Sequence, residues 1–296
     1  MQRFQPKGII PALVTPFTPD GKRIQADSLK KLINFQIDNG MHGIFVSGSQ
    51  GEAWALSFEE RVELMEMTVD FVAGRVPVYG GTGCITTEET VRLTQEAKRV
   101  KVDVVSVITP FFITPSQDEL YEHYKAVAAV GIPTMPYPNF ARTQVRFLPS
   151  LLSRLMEFDT IVGIKDSSGD LSLGLSYLRA VEGKNCSVLI GRDTLIYAGL
   201  VYGASGAIAA GGNVAPRLMS GIYNDFQKGN LDAAMAAQSA IEPLRVAFDL
   251  GTFPVVVKEA LNMMGFEVGP CRRPIGPLTE PMRQRLREVL DNLPTC

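Results

Sequence analysis

A lysine catalyses carbonyl chemistry only where its amine can lose its charge and meet an electrophile, and one lysine of this chain is well placed for that. Lys165 follows the apolar run Ile161-Val-Gly-Ile, so it should end a buried strand and face an open barrel mouth. An apolar setting disfavours an ammonium ion, and a neutral amine adds to a ketone to give an imine. Once protonated, the imine is an electron sink for a carbanion on the adjacent carbon. The plainer alternative is a lysine paired with Asp166 or Glu52 for structural reasons, and position alone leaves both open. Tyr137 ends the run Thr134–Tyr137, the fifth strand-like segment in chain order. A tyrosine hydroxyl beside an imine can carry protons to and from the substrate oxygen. The alternative is a core tyrosine whose hydroxyl is satisfied.

Glycine-rich turns supply the second kind of chemistry. Gly48-Ser-Gln-Gly-Glu follows a short apolar run. Its glycines allow a tight turn that exposes backbone N–H groups, which suits a carboxylate, and the Ser49 hydroxyl adds a donor. An ordinary tight loop would read the same way. Gly80-Gly-Thr-Gly and Gly203-Ala-Ser-Gly-Ala-Ile-Ala-Ala-Gly-Gly-Asn are also glycine-rich. Barrels often bind phosphate after their last two strands, so Gly211, Gly212 and Arg192 keep a phosphate-binding barrel enzyme open as a rival.

Other chemistries are poorly supported. His42 and His123 are the only histidines, too few for the usual catalytic metal site or for a strong Ser-His-Asp case. Cys84, Cys186, Cys271 and Cys296 lack CxxC spacing and read as reduced, cytoplasmic thiols. A net charge of -2 without a basic block argues against nucleic acid. The apolar runs are too short to span a bilayer, and the first residues lack the apolar core of a signal peptide. No cofactor or metal is required, because the lysine itself would be the electron sink.

Eight strand-like runs must position these residues: Gly8–Thr15, Gly43–Val46, Val76–Tyr79, Val102–Ile108, Thr134–Tyr137, Ile161–Lys165, Val188–Gly191 and Gly206–Ala209. Amphipathic segments separate them: one has a capping-box sequence at Ser57/Glu60, and the next two open at Thr87-Glu-Glu-Thr and Ser116-Gln-Asp-Glu. Eight strand–helix units in series predict an α/β fold, a closed (β/α)8 TIM barrel, with a doubly wound open sheet as runner-up. Active sites of such barrels lie at the carboxyl ends of the strands. After Pro216 only helices are expected, over Leu218–Lys228, Asn230–Phe248, Phe253–Met264 and Glu280–Leu290. This divides the chain into a catalytic barrel, residues 1–223, and a C-terminal three-helix extension, residues 224–296.

Taken in order, Gly48-Ser-Gln-Gly-Glu, Thr109-Pro-Phe-Phe, Tyr137 five residues before Arg142, Gly163-Ile-Lys165-Asp-Ser-Ser and Gly206-Ala-Ile-Ala resemble the dihydrodipicolinate synthase / N-acetylneuraminate lyase family. The opening Gly8-Ile-Ile-Pro-Ala-Leu-Val-Thr-Pro-Phe resembles its first strand, and the likeness runs over nearly the whole chain. The resemblance implies a pyruvate-dependent Schiff-base aldolase or lyase, usually a homotetramer. It implies Lys165 as the Schiff-base lysine and Tyr137 as the proton relay. The Ser49–Gln50 turn would hold the pyruvate carboxylate, and Ile208 would offer its backbone carbonyl near the imine.

Departures bear on the second substrate. Where the lysine-pathway synthases carry two threonines and an interface tyrosine, this chain has Ser49, Gln50 and Phe112. Arg142 persists where those synthases bind the aldehyde's distal carboxylate. Asp193, Ser168 and Arg142 are expected to orient the remainder of the substrate. The run Lys165-Asp-Ser-Ser-Gly-Asp is similar to family aldolases acting on hydroxylated or dicarboxylic 2-oxo acids. The alternatives are the synthase that condenses pyruvate with aspartate semialdehyde, a dehydratase using the same imine, and a non-catalytic 2-oxo acid binder.

Overall fold

A computed structural model describes residues 4–294. Cys296 and the first three residues lie outside the described residues.

Eight short strands form the centre: β1 (Gly8–Pro11), β2 (Ile44–Val46), β3 (Val78–Gly81), β4 (Val104–Ile108), β5 (Thr134–Tyr137), β6 (Gly163–Asp166), β7 (Ser187–Ile190) and β8 (Gly206–Ala209). Every pairing is parallel, running β2-β3-β4-β5 and β6-β7-β8-β1. Single parallel bridges, Ala12 to Phe45 and Thr134 to Ile161, close the two halves into one barrel. The closed reading therefore holds over the open sheet. The first strand is shorter than the apolar run suggests. Past Ala12 the chain turns out of the ladder, and the Val14 N–H donates to Asn213 Oδ1 at 3.1 Å.

The apolar strands are buried on both faces, as parallel strands must be. Ile10, Phe45, Tyr79, Val104, Met135, Val162, Leu189 and Ile208 point inward and fill the barrel as a packed plug. Their neighbours point outward onto the helices and make the larger core. Around the barrel run α1 (Ala26–Asp38), α2 (Phe58–Val72), α3 (Thr87–Arg99), α4 (Gln117–Ala128), a one-turn α5 (Phe140–Thr143), α6 (Pro149–Leu155), α7 (Leu171–Ala180), α8 (Ile196–Val201) and α9 (Pro216–Gln227). The expected capping box is present at Ser57/Glu60, and a second forms at Ser116/Glu119. The eighth barrel helix, α9, runs to Gln227, so residue 223 lies inside it.

Four helices follow: α10 (Leu231–Ala240), α11 (Glu242–Ala247), α12 (Val255–Met263) and α13 (Glu280–Asp291). One helix is expected over Asn230–Phe248, but it breaks at Ile241. Pro243 has no N–H to give and its ring crowds the preceding turn, so it starts a new helix instead of continuing the old one.

His123 on α4 carries a stability prediction. Its Nδ1 lies 2.9 Å from Thr87 Oγ1, and burial pushes its pKa down from 6.5 to about 4. The unfolded chain binds a proton there below pH 6.5 and the folded chain does not. Stability from this group is therefore complete above pH 6.5 and falls as pH drops from 6.5 to about 4. Thermal melts should show the wild type losing more stability over that window than His123→Gln; equal losses would remove this role.

Candidate active site

A cavity of about 330 Å³ opens at the carboxyl ends of the strands. Ser49, Gln50, Tyr137, Arg142, Lys165, Asp193 and Ile208 all line it.

Lys165 is 5% exposed. Its Nζ sits 4.0 Å from the Tyr137 ring centroid and 5.1 Å from that of Phe45. The carboxylates that could neutralise it are engaged elsewhere. Glu52 pairs with Lys258 Nζ at 2.8 Å. Successive strand side chains point to opposite faces, so Asp166 turns away from Lys165, toward Gly174 on α7, and accepts from the Ser168 N–H at 2.9 Å.

The Tyr137 hydroxyl is the centre of a polar cluster. It accepts from Asn139 Nδ2 at 2.8 Å, and the Ser167 and Ser49 side chains are also its hydrogen-bond partners. Burial pushes the phenol's pKa up, but the Lys165 ammonium and these three hydrogen bonds outweigh it, leaving the pKa below the ordinary 10.0. Gly191 makes room for Ser167, since a Cβ there would come within 2.0 Å of the Ser167 Oγ.

Asp193 is 3% exposed. Its carboxylate accepts from the Ala210 N–H at 3.2 Å and the Gly211 N–H at 2.9 Å, and burial pushes its pKa up. It thereby occupies backbone donors that a phosphate would need. Gly212 is a packing glycine, because a Cβ there would lie 3.0 Å from Met41 Cε and 3.1 Å from Pro11 Cβ. The phosphate-binding reading of Gly211 and Gly212 loses its physical basis.

Cations dominate the mouth. Arg142 stacks on Phe253 with its guanidinium carbon 4.6 Å from the ring centroid. Arg192 and Arg245 also line the cavity, with Arg245 paired to Asp249 at 3.1 Å. Such a lining suits a substrate with more than one anionic group. Phe112 contributes nothing to its own cavity: it is 94% exposed.

Ser168 is a correction. β6 ends at Asp166, and the chain then turns so that Ser168 is exposed and its Oγ accepts from the Asp170 N–H at 3.1 Å. Ser167 lines the cavity in its place. The signal was available, since Ser167 is two residues from Lys165 and Asn139 two from Tyr137, the spacing that puts strand side chains on one face. Arg245 and Phe253 had no local signal, because they arrive from the C-terminal helices.

Comparison with known proteins shows the family. Residues 5–293 match the model of the dihydrodipicolinate synthetase family. The chain belongs to that family. It is an enzyme of the class I, Schiff-base aldolase and lyase type that the family comprises. It is 40% identical over 287 residues to a 4-hydroxy-tetrahydrodipicolinate synthase of Syntrophus aciditrophicus, covering 97% of this chain and 98% of that one. Among solved structures it is similar to a dihydrodipicolinate synthase of Bacillus anthracis, with a TM-score of 0.94, 34% identity and coverage of 98% and 100% of the two chains. It is also similar to YagE, an E. coli prophage protein of the family solved in complex with pyruvate, with a TM-score of 0.94, 32% identity and coverage of 98% and 99%.

Proposed function

We propose that this enzyme reversibly joins or cleaves pyruvate and an aldehyde through a Schiff base on Lys165. The observation that carries this reading is the Lys165 amine buried in the cavity against Tyr137, with Glu52 and Asp166 committed elsewhere. In the proposed cycle the Lys165 nitrogen adds to the ketone carbon of a 2-oxo acid, and Tyr137 takes the proton that nitrogen sheds. Tyr137 passes it to the alkoxide oxygen to form the carbinolamine, then gives up its own phenolic proton, so that the oxygen leaves as water, the iminium forms and the tyrosine is left as a phenolate. For cleavage, the Tyr137 phenolate removes the proton of the 4-hydroxyl. The C3–C4 bond breaks, its electron pair passes to the iminium as an enamine, and the aldehyde departs. Protonation at C3 and hydrolysis release pyruvate. A phenol held below its ordinary pKa suits the accepting half of this relay.

The Ser49–Gln50 turn is assigned to the substrate carboxylate and Ile208 to the strand end beside the imine. Asp193 is assigned to holding the loop after β8, because its oxygens are bound to that loop's N–H groups. Arg142 is assigned to a distal carboxylate. The resulting substrate is a 4-hydroxy-2-oxo acid bearing a second anionic group. The relatives named above as synthases favour the alternative of aspartate semialdehyde as the aldehyde, which is also acidic. Gln50 and Phe112, which cannot supply a hydroxyl relay, favour an aldolase.

Pyruvate release from 4-hydroxy-2-oxo acids with and without a distal carboxylate, beside condensation of pyruvate with aspartate semialdehyde, tests this reading. The acidic substrates should be preferred, and Arg142→Ala should raise their KM by about 10- to 100-fold, the scale of a charged hydrogen bond. Failure to turn over any of them would overturn the proposal. A homotetramer is proposed on the resemblance, with exposed Phe112 and Ile113 as apolar surface for it to cover. Solution mass near four times 32.3 kDa would support it and a monomer's mass would exclude it. A cytoplasmic site of action is proposed from the free thiols Cys84 and Cys271. No helix among the described residues is long and apolar enough to cross a membrane.

A further inference from the structure

The turn assigned to the substrate carboxylate is bracketed by two residues that should not be comfortable there. Ser47 and Glu52 have φ of 56° and 57°, the left-handed region that non-glycine residues avoid. Such residues persist only where their surroundings over-determine them. Each is gripped by a buried cation. Arg61 Nε donates to Ser47 Oγ at 3.0 Å, and Arg61 Nη2 donates to the Gly81 carbonyl at 2.9 Å.

The grip on Glu52 comes from the far end of the chain. Glu52 is fully buried and Lys258, on α12, is 1% exposed. Glu52 Oε1 lies 2.8 Å from Lys258 Nζ, and Oε2 accepts from the Arg272 N–H at 2.8 Å. Lys258 also donates to the Pro270 carbonyl at 2.8 Å and sits 4.1 Å from the Phe17 ring centroid. The Arg272 side chain is itself fixed, donating to Glu60 Oε2 at 2.6 Å and to the Ala55 carbonyl at 2.8 Å. Burial pushes the neighbouring Cys271 thiol up to about 12, so it brings no competing charge. On the other side the turn is a closed unit. The Glu52 N–H donates to the Ser49 carbonyl at 3.2 Å, the Ala53 N–H to the Gly48 carbonyl at 3.1 Å, and Thr15 Oγ1 to the Gly51 carbonyl at 2.6 Å. Ser49 in turn is a hydrogen-bond partner of Tyr137.

We infer that Glu52 and Lys258 are positioning residues for substrate binding, so that the C-terminal helices set the geometry of the turn that receives the 2-oxo acid carboxylate. Neither touches substrate; they act through residues 48–51. A pair that only balanced charge could be replaced by neutral residues without functional consequence. A pair that aims the turn could not, because a displacement of about 1 Å at a binding group costs up to about 100-fold.

The inference rests on the Schiff-base reading, and pyruvate-dependent trapping by borohydride on the intact enzyme separates the two. The readout is the pyruvate concentration giving half-maximal trapping, alongside the limiting trapping rate. Lys258→Met should raise half-saturation by about 10- to 100-fold while the limiting rate changes far less. The double variant Glu52→Gln/Lys258→Met buries no charge and is expected to fold, yet its half-saturation should stay raised. Wild-type half-saturation in the folded double variant overturns the inference. Should neither variant fold, Lys258→Arg decides, since it keeps the charge but moves its point of contact: raised half-saturation supports the inference and an unchanged value overturns it. No trapping in the wild type would instead sink the Schiff-base reading.

Discussion

Lys165→Ala is expected to lower turnover by roughly 10⁴-fold or more, the scale seen when a covalent nucleophile is removed. The argument is chemical: without the amine there is no imine, and without the imine the electrons of the breaking bond have nowhere to go. The loss should not reflect unfolding. Lys165 is bound to neither Glu52 nor Asp166, and Asp193, which feels its charge, keeps the Ala210 and Gly211 N–H groups and the charge of Arg245 when Lys165 is removed. Melting should therefore change little, and a large fall in melting temperature together with the lost activity would undercut the claim. Lys165→Arg should fail equally, because a guanidinium does not give up its proton at any accessible pH.

Tyr137→Phe is expected to cost about 10²- to 10⁴-fold in kcat, the range for losing a positioned acid–base group. The ring remains, so the packing beneath the Lys165 amine is kept. What goes is the hydroxyl that gathers Asn139, Ser49 and Ser167. Because the amine survives, this variant should still trap pyruvate, but slowly. That separates it from Lys165→Ala, which should trap none at this position. Near-normal kcat in Tyr137→Phe would return the tyrosine to the role of a satisfied core residue.

The physical reasons for what could be read from the chain alone are local ones. Buried parallel strands need unbroken apolar runs, so all eight strands were visible, and the barrel rule then located Lys165 and Tyr137 at their ends. The limits are equally physical. Period-two alternation carried on past the strand ends would have picked out Ser167 and Asn139, but Ser168 was expected in Ser167's place because the turn after β6 is not legible in the sequence. The break at Ile241 hung on one proline inside an otherwise regular helical pattern. Arg245, Phe253 and Lys258 reach the site or its supporting turn from more than 75 residues beyond Lys165. Contacts between segments so far apart leave no periodic trace. Glycine-rich sequence misled in the loop after β8, where Gly211 and Gly212 serve Asp193 and close packing rather than phosphate.

The most direct measurement is reduction of the enzyme with borohydride in the presence of pyruvate, followed by mass analysis of its peptides. A pyruvate-derived adduct on the peptide bearing Lys165, missing in Lys165→Ala, is the result expected of an amine that opens into this cavity. An unmodified Lys165 peptide at saturating pyruvate, or an adduct carried on a different lysine, would contradict the account at its root.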